Sequence, residues 1–205
     1  DYKSSILAEI LSTLYSSGDG VVYKDGNPGW FNPEKMKFVL ESFAIKSGVK
    51  ILYDTVVVDV VKEGDIISGI KTFYKGITSE YRAKYFVDAT GDATLAAMSG
   101  VKFENGLDGK NQFMSLRFEM GGVDIKLLAN WMIEQKIDDD VSNVFCKNER
   151  EIYLSIGFSY GEKKSPYQAI NKLIDKAIED GIINEDDVNY IQFFSIPGKS
   201  GMLSF

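Results

Sequence analysis

Three β-rich runs separated by very short polar turns constrain the fold of this chain more than any other feature. The runs cover residues 56–61, 66–74 and 77–87, and Val, Ile, Tyr, Phe and Thr fill most of their positions. The turns between them contain Gly64 and Gly76. Gly-containing turns of this length favour strands that are neighbours and antiparallel. We therefore predict a consecutive three-stranded antiparallel meander whose last strand runs to Val87.

Helical signals lie on both sides of the meander. Asn32 is a typical N-cap with Pro33 at the first helical position, and Gly48 follows the end of that helix. Asp124 caps a second predicted helix. Apolar residues at helical spacing predict two more helices, near the N-terminus and within residues 165–180. Further short strands are predicted at residues 49–53, 113–120, 141–146, 152–160 and 190–197.

The order of these elements divides the chain into two predicted domains, residues 1–105 and 106–205. The first mixes helices with the meander. The second has the order strand, helix, hairpin, helix, strand, which predicts an antiparallel sheet with helices packed on one face. The predicted fold class is α+β.

Composition excludes several classes of function. The 205 residues carry a net charge of −7 with no basic cluster, which argues against binding of nucleic acid or of an anionic membrane. A single cysteine, Cys146, permits no intrachain disulfide and suits a reducing, cytoplasmic location. The chain has no histidine, so Ser-His-Asp catalysis, Cys-His catalysis and His-bearing zinc sites are excluded. No metal site is predicted, and the acidic run at residues 138–140 is expected to be solvated. Any chemistry must come from a cofactor or from carboxylates.

The strongest local motif is YFVDATGDATLAA at residues 85–97. A strand is predicted to end here and a helix to begin at Asp92, with a tight turn around Gly91. A helix N-terminus beside a glycine leaves N–H groups available to a polar ligand. The Asp92 carboxylate would cap the helix and repel phosphate, so a hydroxyl-rich partner such as a ribityl or ribose chain suits it better. A self-capped turn without any ligand explains the same pattern.

This motif resembles the second flavin motif of FAD-dependent oxidoreductases of the glutathione-reductase-like superfamily. Three other segments resemble the same family and come in its order: NPEKMKFVL at 32–40, GVKILYDTVVVDV at 48–60 and DGKNQFMSLRF at 108–118. The resemblance implies that residues 1–105 are an incomplete FAD/NAD(P)-binding-type domain. It also implies that residues 106–205 are the substrate-side domain, itself incomplete at the C-terminus.

The resemblance also implies site residues. Ala89, Thr90, Gly91 and Asp92 would contact FAD. The backbone of Val57 would lie near the adenine, although plain sheet packing explains this residue equally well.

On the substrate side, the resemblance points to Arg117, which could face a small-molecule substrate and pair with a carboxylate. A surface arginine is the alternative. The catalytic residues, the substrate and the oligomeric state are not assigned.

One departure from the family pattern matters. The family's Gly-x-Gly-x-x-Gly, which binds the pyrophosphate, does not occur in these 205 residues. Gly18-Asp19-Gly20 lacks the third glycine and follows a predicted helix. We therefore expect an internal fragment of a cytoplasmic FAD-dependent oxidoreductase. The isolated fragment is expected to lack FAD and to be inactive. Two other functions remain open: a ligand-binding or interaction module without redox chemistry, and an enzyme similar to flavin monooxygenases or halogenases.

Overall fold

The computed structural model describes residues 5–22, 29–111, 114–136, 142–148, 151–160 and 168–205. The chain forms two compact units. The first combines Asp1–Ser47 with Ser115–Phe205, and the second is Gly48–Met114. The predicted boundary between residues 105 and 106 lies inside the second unit. The assignment of a cofactor-side and a substrate-side domain stays a prediction.

The second unit contains the meander. Strands β3 (Val56–Glu63), β4 (Ile66–Tyr74) and β5 (Ile77–Arg82) pair antiparallel in the order β3-β4-β5, which confirms the prediction. Gly64 and Gly76 both have positive φ in the two turns, a conformation that glycine adopts without steric cost. The helix α3 (Thr94–Met98) follows and contacts β3.

Two predicted strand segments in this unit are wrong. The third strand ends at Arg82 rather than Val87, and Tyr85 and Val87 beyond it are each 88% exposed. Residues 49–53 form no strand either, and Asp54 has a left-handed backbone with φ of 53°. In both places the apolar residues favour an extended chain, but no neighbouring strand pairs with it within the described residues. Amino-acid composition indicates that a segment is extended, but it does not indicate which strand pairs with it.

The first unit begins with a helical hairpin. Helix α1 (Ser5–Ser16) is followed by two short paired strands, β1 (Gly20–Val21) and β2 (Trp30–Phe31), and then by α2 (Pro33–Lys46). The N-cap prediction for α2 is confirmed, because the Asn32 side chain accepts a hydrogen bond from the Glu34 N–H at 3.1 Å. Lys46 lies in the last turn, where a cation is favourable to the helix dipole.

The rest of the first unit is a five-stranded antiparallel sheet with two helices. Its strands are β6 (Glu119–Met120), β7 (Ser142–Asn148), β8 (Glu151–Ser159), β9 (Tyr190–Ser195) and β10 (Leu203–Ser204), in the order β6-β10-β9-β8-β7. Helix α4 (Ile125–Glu134) is capped by Asp124 as predicted, and α5 (Gln168–Glu179) lies before a single 3-10 turn, Glu185–Asp187. Within the described residues 114–120 of the predicted strand at 113–120, only β6 forms, although Phe118 and Phe205 still exchange two backbone hydrogen bonds beside it.

The two faces of this sheet differ. One face carries Leu154, Ile156 and Leu203, which form the main apolar core with residues of α4 and α5 such as Met132 and Ile174. Alternation along β8 and β9 places Ser155, Gly157, Gln192 and Phe194 on the opposite face. The architecture is α+β with antiparallel sheets and helices packed on one face, as predicted. None of the helices in the described ranges is long and apolar enough to cross a membrane.

Candidate functional site

The turn between β5 and α3 is organised by the Asp88 carboxylate. Its Oδ1 accepts hydrogen bonds from the Thr90 N–H at 3.0 Å and the Thr90 hydroxyl at 2.7 Å. Its Oδ2 accepts from the Ala96 N–H, inside α3, at 2.8 Å. The Thr90 Oγ1 in turn accepts from the Thr94 N–H at 2.8 Å. One carboxylate and one hydroxyl therefore tie both ends of the turn to the first turn of the helix.

These bonds lower the pKa of Asp88 below its ordinary value of 3.8. The largest cause is the hydrogen bond from the Ala96 N–H, followed by those from Thr90, which stabilise the charged form. Asp88 is therefore a carboxylate at neutral pH, and its role in the turn is that of a structural acceptor.

The predicted local geometry needs three corrections. The helix begins at Thr94 rather than at Asp92. Asp92 does not cap it, because the residue before the helix is Ala93, whose side chain cannot accept. Gly91 does not have a positive φ, whereas Ala93 has a left-handed backbone with φ of 51°. The Asp88 carboxylate accepts a hydrogen bond from the N–H of Ala96, eight residues later, so the N-terminus of the helix does not need the Asp92 carboxylate.

The apex of the turn is open. A Cβ atom built on Gly91 would have no atom within 4 Å, and residues 89–92 are all exposed. Within the described part of the chain, no hydrogen bond uses the N–H of Gly91 or the carboxylate of Asp92. Donors and an acceptor that are exposed on a fixed turn fit one side of a polar cofactor such as the ribityl chain of FAD. The N–H groups of Thr94 and Ala96 are already used, so they do not form an anion site.

Val57 lies on the outer strand of the meander. It is half-buried, pairs with Thr72 of β4, and precedes a bulge at Val58. The other edge of β3 has no strand partner among the described residues, which leaves backbone groups available there. Thr55, just before this strand, lines a depression of about 410 Å³ together with Tyr53 and Tyr74. No hydrogen bond links Val57 to the Asp88 turn in the part of the chain that is described.

Arg117 lies in the first unit and contacts the face of the five-stranded sheet that is opposite to the main core. Its Nη2 donates a hydrogen bond to Oε1 of Gln192 at 3.1 Å, and its Cζ lies 5.9 Å from the centroid of the Phe194 ring. Trp30 packs edge-on against Phe194 with ring centroids 4.8 Å apart. The guanidinium is therefore held at two points, which an unconstrained surface arginine would not be.

Sequence reasoning missed Asp88, Gln192 and Phe194. An Asp two residues before a Thr is a recognised turn signal, so Asp88 could have been found. Gln192 and Phe194 alternate along β9, which places them on one face, but nothing local indicates that Arg117 lies beside them.

Other predicted features give no site. No group of three metal-ligating residues occurs in the described ranges. The acidic run at residues 138–140 lies outside the described residues.

A search of known proteins gives one positive result. No curated protein and no solved structure matches this chain. A family model described as FAD dependent oxidoreductase matches residues 2–193. That match spans nearly the whole sequence, including both compact units, so the chain belongs to the FAD-dependent oxidoreductase family.

Proposed function

We propose that this chain forms part of an FAD-dependent oxidoreductase that transfers electrons between FAD and a small-molecule substrate. Residues 89–92 contribute one side of the cofactor site. When bound, the isoalloxazine ring of FAD supplies the electron or hydride transfer, and the protein positions and tunes it. This division of labour suits a chain without histidine.

The observation that carries the proposal is the contrast between a fixed turn and its open apex. Asp88 and Thr90 close four hydrogen bonds around the turn. No atom lies within 4 Å of the Cβ position at Gly91. A turn that is rigid without a ligand has little conformational entropy to lose when a ligand binds. The Asp92 carboxylate can accept from a hydroxyl of the flavin side chain, and the Gly91 N–H can donate to it.

The rest of the cofactor site has to come from elsewhere. None of these 205 residues forms a Gly-x-Gly-x-x-Gly, the element that places a pyrophosphate on a helix N-terminus. We therefore propose that residues outside this sequence complete the site, and that the exposed edge of β3 near Val57 faces the adenine. The 205 residues alone should bind FAD weakly and show no turnover. A colourless preparation after desalting is expected, and a yellow one with stoichiometric flavin would contradict this.

The test of the turn is Gly91→Val in the complete gene product that contains these residues. The Cβ atom of a branched side chain at the apex has no protein atom within 4 Å, so the fold should tolerate it, while the side chain occupies the space proposed for the cofactor. Gly121→Val is the matched control, since Gly121 also has a non-positive φ and open space at its Cβ position. Bound flavin absorbance and the melting temperature of the flavin-stripped protein are measured together.

The expected result is a large loss of bound flavin for Gly91→Val, with the melting temperature of the stripped protein unchanged. Gly121→Val should retain its flavin. Full flavin occupancy in Gly91→Val would exclude residues 89–92 from the cofactor site. If Gly91→Val lowers the melting temperature of the stripped protein together with its flavin content, the turn has a structural role only.

A further inference from the structure

We infer that Arg117, Gln192 and Phe194 form a binding site for the carboxylate of an organic-acid substrate that also carries an apolar or aromatic part. This inference rests on the proposed function, because it names the substrate class of the same enzyme. It is carried by the first unit alone.

The sheet positions the three side chains on one face, the same face on which Trp30 packs. Gln192 and Phe194 alternate along β9, on the face opposite to the core that Ile156 forms with α4 and α5. Arg117 lies two residues before Glu119, the first residue of β6. Side chains two residues apart in an extended segment lie on the same face, and Arg117 lies on this face of the sheet. Opposite Gln192, on β8, lies Gly157, and the Tyr190 hydroxyl is 2.5 Å from the position that a Cβ atom would take there.

The charge balance around Arg117 favours an anion. No acidic side chain of the described ranges forms an ion pair with Arg117. The nearest acid along the same strand, Glu119, is engaged by Lys199, whose Nζ lies 2.9 and 3.3 Å from its two carboxylate oxygens. A negatively charged ligand would give Arg117 an ionic partner.

The geometry of the guanidinium group suits a carboxylate. Guanidinium presents five N–H donors in a planar fork that matches the two oxygens of a carboxylate. One donor is used to fix the group on Gln192, which leaves others of the fork for the ligand. The Gln192 amide has its own N–H₂ group to add a further hydrogen bond. The rings of Phe194 and Trp30 form an adjacent apolar wall for the rest of the molecule.

The test uses sodium benzoate as the probe and benzamide as its uncharged analogue. Trp30 packs on Phe194 and can report binding through its fluorescence. The measurement is made on the 205-residue chain carrying Trp131→Phe, which leaves Trp30 as the single tryptophan. Arg117→Gln removes the charge and the fork, and Arg117→Lys keeps only the charge. Lys126→Gln, at an exposed position on α4, is the control for the same change in net charge.

Benzoate should bind, and benzamide should bind more weakly. Arg117→Gln should weaken benzoate binding by about tenfold or more, the loss expected for a hydrogen bond to a charged group. Arg117→Lys should also bind more weakly than the parent, and Lys126→Gln should bind equally well.

Absence of benzoate binding, or equal losses in Arg117→Gln and Lys126→Gln, would overturn the inference. The assay contains no flavin, so such a failure leaves the cofactor proposal standing. Conversely, full flavin occupancy in Gly91→Val would remove the cofactor proposal without affecting benzoate binding.

Discussion

Replacing Gly198 with alanine should destabilise the first unit through two separable effects. Gly198 has φ of +74°, a left-handed conformation that is strained for alanine. Its Cβ position lies 2.6 Å from Oδ1 of Asp19, which is only 7% exposed. That carboxylate accepts hydrogen bonds from Asn32 at 3.2 Å and from the Ser17 hydroxyl at 2.8 Å. The new methyl group would push a buried carboxylate away from both donors.

The magnitude follows from a comparison with Gly181. That residue has φ of +68° but no atom within 4 Å of its Cβ position, so Gly181→Ala carries the backbone strain alone, about 1–2 kcal/mol. Disturbing a buried hydrogen-bonded acceptor adds about 1–3 kcal/mol. Gly198→Ala should therefore cost about 1–3 kcal/mol more free energy of unfolding than Gly181→Ala.

Urea unfolding followed by tryptophan fluorescence measures this difference, since both tryptophans, Trp30 and Trp131, belong to the first unit. Asp19→Ala removes the carboxylate, and in that background Gly198→Ala should cost no more than Gly181→Ala. Equal costs for the two glycine variants in the parent chain would refute the steric argument. An unchanged excess in the Asp19→Ala background would show that Asp19 is not its cause.

Two predictions concern pH. The pKa of Asp88 is lowered in the folded chain, so the stabilisation it gives to the turn is present above its ordinary value of 3.8 and is lost as the pH falls through the lowered value. Carbon NMR titration of the Asp88 carboxyl group should find that lowered pKa. Asp88→Asn should remove the acid dependence of the hydrogen-exchange protection of the Ala96 amide. An Asp88 pKa at or above 3.8 would contradict the hydrogen-bond network. The Tyr160 hydroxyl donates to the Asp175 carboxylate at 2.7 Å, and this bond, with smaller contributions from desolvation and nearby acids, raises the pKa of Tyr160 to about 12. Its stabilisation is complete below the ordinary pKa of 10.0 and is lost as the pH rises through about 12. Asp175→Asn should shift the tyrosinate absorbance transition toward lower pH, and an unchanged transition would exclude Asp175 as the cause.

The elements that the sequence predicted well are those decided by adjacent residues. The meander follows from β-rich runs and from turns at Gly64 and Gly76, where the connection is too short for any pairing except with a neighbour. The caps at Asn32 and Asp124 bond to N–H groups two and three residues ahead. Such contacts depend little on the rest of the fold, so a local pattern is sufficient to find them.

The features that the sequence did not predict depend on distant residues. Strand β10 lies between β6 and β9, and no local pattern states this order. The bond between Arg117 and Gln192 joins residues 75 positions apart. The end of β5 was misplaced because residues 83–87 have strand composition but no partner strand among the described residues. In each case the structure depends on which distant segment is the spatial neighbour, and composition carries no information about that neighbour.

Asp88 and Asp92, the two acids of the turn, have different roles, and the capping role belongs to Asp88 rather than to Asp92 as predicted. The sequence favoured Asp92 as the cap, which would have consumed the carboxylate proposed for the cofactor. The structure gives the capping role to Asp88, whose two oxygens accept three hydrogen bonds. Asp92 is then not needed for the fold and remains exposed beside the open space at Gly91. A loss of flavin caused by a change at Asp88 would follow from disruption of the turn, whereas one caused by a change at Asp92 would report a contact with the cofactor.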